Sequence, residues 1–276
     1  MNYLIALVVT VFGWWFSTGV ILFLNHLPTA THRWAMALLS IFCLVTLNKI
    51  SATSTDTSIA AAVTAYGQAL IIWGWLEMGY LMGFVTGPSN RPCPPGATGW
   101  TRFGLALQTS LYHELLVVWV VCWVIALTAG GPNQVTALCC VVLWLMRWSA
   151  KLNLFLGVSN FHAEWLPKSQ RYLASYINQR SINSLLPVSV ILGLAFSSYF
   201  FVQATSGTTG TDAVGNLIIG LLLALGVVEH LFLVLPLNDS KLWHWALAAT
   251  TEKNDHPGLG TNALAPKPRV AEHRGG

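Results

Sequence analysis

Long apolar stretches alternate with short polar breaks along almost the whole chain, and the spacing of the breaks predicts seven membrane-spanning helices. Crossing the hydrocarbon core takes about 20 apolar residues as helix. Stretches of that kind fall at approximately 3–24, 34–50, 59–84, 103–128, 135–158, 184–204 and 214–237, the second being short. The first lacks a basic leading segment and no small-residue cleavage site follows it, so it reads as a span and not as a secretory signal. Residues 1–250 are therefore expected to form one all-α, polytopic membrane helical bundle. Two further stretches carry an interfacial pattern. In 168–180, Tyr172, Leu173, Tyr176 and Ile177 share a helical face while Lys168, Arg171 and Arg180 supply charge, as in a helix lying on the membrane surface. Residues 240–250, with Trp243 and Trp245, form a second and shorter one. The remainder, 251–276, is polar and rich in Pro and Gly, which predicts a disordered tail.

Composition agrees with a membrane setting, since 54% of the 276 residues are hydrophobic and only 9% are charged. Where those charges fall predicts the orientation. Arg33, Arg91, Arg102, Lys168, Arg171, Arg180, Lys241, Lys253, Lys267, Arg269 and Arg274 follow odd-numbered spans, Arg147 and Lys151 sit toward the end of the fifth, and Lys49 alone follows an even one. The positive-inside bias then places the N-terminus outside and the tail in the cytoplasm. The net charge of +4 is explained by this asymmetry and by anionic lipid, so no nucleic-acid partner is expected. Four of the five Cys lie within spans and Cys93 stands in a loop, which leaves neither a disulfide framework nor a zinc spacing.

Several ionisable residues interrupt the apolar runs. Each costs at least about 2.5–3.5 kcal/mol near the centre of a spanning helix, so a group of them points to mutual partners or to function. Glu77 lies in the third span, His113 and Glu114 in the fourth, Glu229 and His230 side by side in the seventh. At about 1.5 Å rise per residue, the three carboxylates lie roughly 10, 16 and 12 Å from the inner ends of their helices, which predicts one shared layer. Arg147, Lys151 and Asn153 approach from the fifth span, and Asn160, His162 and Glu164 follow it. A polar pocket in the cytoplasmic half is expected.

Three readings of that pocket stand side by side. Glu77, Glu114, Glu164, Glu229, His113 and His230 supply the ligand types of a di-metal carboxylate centre in a helical bundle, although Glu and His are adjacent here where that pattern has them three apart. Alternatively, His113 or His230 serves as axial ligand to a tetrapyrrole such as bacteriochlorophyll, with Gly226 leaving room against the helix. The third reading is a neutralised network in which Arg147 and Lys151 pair with the carboxylates and hold the bundle together.

The runs WGWLEMGYLMGFVTGP (73–88), YHELL (112–116), LWLMRWSAKLNLFLGVSNFHAEWLP (143–167), YLASYI (172–177) and VEHLFLVLPL (228–237) resemble the photosynthetic complex assembly protein PuhE family of purple phototrophic bacteria, over roughly residues 1–250. The resemblance implies a multi-pass protein of the bacterial inner, intracytoplasmic photosynthetic membrane. It also implies a role in assembling the reaction centre and core antenna, with an influence on bacteriochlorophyll supply or delivery, and partners among their subunits or the pigment-synthesis proteins. Glu77, His113, Glu114, Arg147, Lys151, Asn153, Asn160, Glu164, Glu229 and His230 are the polar positions that match. Ser159 and Trp165 depart from the family pattern, and His162 has no counterpart in it. The alternative function is a membrane metal-dependent enzyme acting on a pigment precursor through the Glu and His set. A carrier is disfavoured, since neither a broken-helix pair nor a repeat is apparent.

Overall fold

The computed structural model describes residues 2–161, 166, 168–206, 210–236, 242–243 and 245–246. Among the described residues, eight α-helices follow one another: α1 Asn2–His26, α2 Thr29–Thr55, α3 Ile59–Leu81, α4 Gly99–Gln108, α5 Leu111–Thr128, α6 Val135–Leu156, α7 Leu185–Thr205 and α8 Thr211–Phe232. Among the described residues, seven of them, all but α4, are long and apolar enough to cross a membrane, and there is no strand. The protein is thus an all-α helical bundle.

The connections alternate between two ends. At one, Asn133 Nδ2 donates to the Thr53 and Asp56 carbonyls at 3.2 and 3.5 Å, and Thr211 Oγ1 donates to the Ser58 carbonyl at 2.9 Å. At the other, the 82–98 connection meets the segment between α6 and α7: Ser175 Oγ accepts from Cys93 N at 2.8 Å, and the Arg91 carbonyl accepts from the Tyr176 hydroxyl at 3.1 Å. This second end carries Arg91, Arg102, Arg171 and Arg180 and is called the basic end below.

α3 and α8 form the centre, with 50% and 61% of their apolar windows buried, while α1 and α7 have 11% and 17%. Since lipid tails are as apolar as Leu, close packing of small residues draws such helices together. α3 presents Ala61, Ala62, Ala65 and Ala69, all buried. The outer faces of α1, α2 and α7 keep Leu4, Val8, Ile41, Phe42, Ile191 and Phe196 exposed, as lipid-facing positions should be.

Three spans differ from the sequence expectation, each for a local reason. α2 runs well beyond 34–50 because its polar residues satisfy themselves on the helix: Asn48 Nδ2 donates to the Leu44 carbonyl, Thr53 Oγ1 to that of Lys49 and Thr55 Oγ1 to that of Ala52. The expected span 103–128 is divided at Thr109–Ser110. There the 82–98 connection inserts, with His113 N donating to the Thr86 carbonyl at 2.9 Å. Gly87 lies so close that a Cβ would stand 2.0 Å from the Gln108 carbonyl oxygen. Amphipathic α4, with no buried residue and with Trp100 86% exposed, then takes an interfacial position. The last helix stops at Phe232, not 237, before Pro236, which cannot continue a helix.

The stretch expected as a surface helix over 168–180 is instead a 3-10 helix, Lys168–Tyr176, that docks by polar bonds: buried Gln170 donates through Nε2 to the Tyr80 carbonyl. Of 240–250, the described residues lie on α1. Trp243 Nε1 donates to the Trp15 carbonyl at 3.0 Å, Trp15 Nε1 donates to the Leu242 carbonyl at 2.8 Å, and the Trp245 ring stacks on Phe16. The tail 251–276 lies outside the described residues.

Seven crossings would put the two chain ends on opposite sides, and by the positive-inside bias the basic end would be the cytoplasmic one. Reporter fusions at residue 1 and at residue 270 are expected to report an external and a cytoplasmic location, respectively. The same side for both would contradict the seven-span topology, and exchanged sides would contradict the orientation.

Candidate functional site

α6 carries Arg147 and Lys151 four residues apart, hence on one face and one turn from each other. Two like charges at that spacing repel, and each is answered by a carboxylate from another helix. Arg147 Nη2 lies 2.9 Å from Glu77 Oε2 of α3. Lys151 Nζ pairs with Glu114 Oε1 of α5. Both glutamates are buried. Lys151 Nζ also sits 4.8 Å from the centroid of the Tyr80 ring, a cation–π contact. On Tyr80 rests the His113 ring at 4.7 Å. Three helices are thereby tied at the basic end, in the manner of a neutralised network.

His230, 2% exposed, belongs to a second, uncharged chain of contacts. Its Nδ1 is 2.7 Å from the Gly226 carbonyl, which can only accept, so Nδ1 carries the proton. Nε2 then accepts from Ser149 Oγ at 2.8 Å. The Ser149 and Ser189 hydroxyls lie 2.9 Å apart, and Asn153 Nδ2 donates to Ser189 Oγ at 3.1 Å. α6, α7 and α8 are joined through these side chains.

The remaining expected residues fall in separate places. Glu229 does not join the interior layer as expected: its residue is exposed and its Oε1 accepts from Trp14 Nε1 of α1 at 2.8 Å. Adjacent residues on a helix diverge by about 100°. Because His230 takes the inward direction, Glu229 is turned to the α1 seam. Asn160 closes the end of α8, Nδ2 donating to the Phe232 and Leu235 carbonyls at 2.7 and 2.9 Å, which satisfies acceptors that a helix terminus leaves open. Glu164 and His162 lie outside the described residues.

These positions bear on the two cofactor readings. Among the described residues, no three His, Cys, Asp or Glu side chains gather as a metal site would require; Glu77 and Glu114 are held by cations and Glu229 by an indole. His230 offers no open coordination position to a tetrapyrrole. Both nitrogens of His230 are engaged, and the space beside Gly226 is filled by Met146, whose Sδ would lie 2.8 Å from a Cβ there. His113 is 1% exposed and packed against Tyr80. Among the described residues the geometry fits neither a metal cluster nor a macrocycle on His230, while His113 keeps Nδ1 without a protein partner.

What the basic end does contain is a cavity of about 210 Å³. Arg147, Lys151 and Glu114 supply its polar side chains, and Phe103, Leu107 and Phe155 are among the apolar ones. Sequence reasoning missed Tyr80, Gln170, Ser149, Ser189 and Asn183. Asn183 had a readable signal, an Asn just before the apolar run of α7. Its Oδ1 accepts from Leu185 N and Leu186 N at 2.9 and 3.1 Å, and its Nδ2 reaches back to the Asn153 and Gly157 carbonyls. The serines carried none, since small residues are common in spans for packing alone.

Fold and site together define a polytopic membrane protein whose charged residues are paired across helices beside a small amphipathic cavity. Residues 1–254 match the family described as "Protein of unknown function (DUF3623)", and the chain belongs to that family. A protein of Rhodobacter capsulatus described as "Uncharacterized 30.4 kDa protein in puhA 5'region" is 35% identical over 256 residues, covering 91% of this chain and 92% of the relative. No solved structure matches the chain.

Glu77 is buried, and breaking a buried pair by removing one partner costs up to about 3–5 kcal/mol. Glu77→Gln is accordingly expected to lower thermal stability and abundance sharply, and Arg147→Met to do the same. Glu77→Gln combined with Arg147→Met should cost clearly less than the sum of the two. Additive losses, measured by unfolding in mild detergent, would mean that the pair does not couple α3 to α6.

Proposed function

We propose that this chain is an integral membrane factor for assembly of the photosynthetic reaction centre and core antenna, influencing the supply or delivery of bacteriochlorophyll. The observation that carries the reading is the relative from the puhA 5' region of a phototrophic bacterium, similar along nearly the whole chain. The sequence resemblance to the PuhE family points the same way. The runs that carry that resemblance come from five separate parts of the sequence and contribute Glu77, Tyr80, Glu114, Arg147, Lys151 and Tyr176 to the basic end. On this reading the protein works in the intracytoplasmic photosynthetic membrane. Its partners are reaction-centre and antenna subunits or pigment-synthesis proteins.

Deleting the gene in a phototrophic host is expected to reduce mature reaction centre and core antenna, or to change bacteriochlorophyll content, while respiratory growth stays normal. Absorption spectra of isolated membranes read the outcome. Unchanged pigment and complex levels after phototrophic induction would refute the assembly role.

A further inference from the structure

The cavity at the basic end has a chemistry that neither ion pair explains. Its volume, about 210 Å³, is below the range of about 300–1,000 Å³ usual for drug-sized ligands. That suits a slender apolar segment, such as part of a hydrocarbon chain, better than a bulky ligand. Phe103, Leu107, Phe155, Phe161 and Leu173 contribute apolar wall, with the Phe103 and Phe155 rings packed edge to face at 5.5 Å. The charges inside the cavity already answer one another, Arg147 to Glu77 and Lys151 to Glu114. An anionic group therefore gains most at the rim.

The rim is basic. Arg102 of α4 lies with Cζ 5.4 Å from the centroid of the Phe155 ring and bonds through Nη1 to Asn178 Oδ1, which leaves its other donors open. Arg180 follows Asn178 by two residues, is exposed, and packs its stem beside Gly157, the residue that ends α6. Basic pockets between spanning helices on the cytoplasmic side are suited to acidic lipid head groups. A polar, cavity-lining side chain that is only 1% exposed, Gln170, keeps Oε1 without a protein partner, so the wall also has an acceptor for a head-group or glycerol hydroxyl.

We propose that this cavity seats part of one acyl chain of an anionic phospholipid, with its phosphate held at the rim by Arg102 and Arg180. The site is a property of the bundle and stands apart from the assembly role, so either can fail without the other. α4 is the element that makes it. Because the expected fourth span is broken at Thr109–Ser110, α4 lies over the end of α6 and roofs the space that a continuous helix would leave open to the membrane.

The test uses full-length protein purified in mild detergent, stripped of lipid and offered phosphatidylglycerol or phosphatidylcholine of identical chains, with bound lipid counted by native mass spectrometry. Phosphatidylglycerol is expected to be retained about 25-fold more tightly, taking roughly fivefold per arginine. Arg102→Gln with Arg180→Gln should abolish that preference, and Ala106→Phe, which fills the cavity from α4, should abolish tight retention of both lipids. A third measurement does not depend on these variants folding well. Phosphatidylglycerol brominated along its chain should quench a fluorescence component that is missing from Trp148→Phe, since Trp148 lines the cavity. Equal retention of the two lipids by the unaltered protein, or undiminished retention in folded Ala106→Phe, would overturn the proposal. Equal quenching in wild type and Trp148→Phe would overturn it as well.

Discussion

Two cations one helical turn apart on a membrane helix cannot be left facing hydrocarbon, and everything at the basic end of this protein follows from that constraint. Arg147 and Lys151 on α6 repel each other and are costly in lipid. They become tolerable only where two carboxylates arrive from other helices at matching depth, Glu77 from α3 and Glu114 from α5. This fixes the rotation of α3 and α5 about their own axes relative to α6. An apolar seam in lipid fixes rotation weakly, because one hydrophobic face substitutes for another. The ion pairs thus supply specificity more than net stability, as buried charges do where alternative apolar packings would be as stable.

From that fixed rotation the other contacts unfold in order. With Lys151 held against Glu114, its ammonium lies over Tyr80, and Tyr80 in turn supports His113 from the ring face. The Tyr80 carbonyl accepts from Gln170, which brings the 3-10 helix Lys168–Tyr176 against α3. Tyr176 then reaches the Arg91 carbonyl and anchors the 82–98 connection. On the opposite side of α6, Ser149 is directed to His230 and Ser189. The small cavity lies on the first side of α6, between those contacts and α4.

The fold was largely legible in the sequence, because length and apolarity alone define a span. What escaped was anything decided by polar bonds across the chain. The break at Thr109–Ser110 is hidden in an otherwise spanning run and depends on the Thr86 carbonyl and on close passage of Gly87. The extension of α2 depends on Asn48 and Thr53 bonding back onto their own helix. Within the site, the depth of Glu77 and Glu114 was readable from the helical rise, and so was their approach to Arg147 and Lys151. Which carboxylate met which cation was not, since that requires the rotation of each helix. Glu229 shows the same limit: the divergence of adjacent residues was known, but not that His230 would take the inward direction.

Exchanging the charges of the second pair tests the central claim most directly. Glu114→Lys and Lys151→Glu, made singly, place two like charges in contact within the membrane, and the protein should fail to accumulate. Made together, they restore opposite charges between α5 and α6, and accumulation with cooperative thermal unfolding should return in substantial part. A double exchange no better than the worse single variant would contradict the view that this pairing sets the arrangement of the helices.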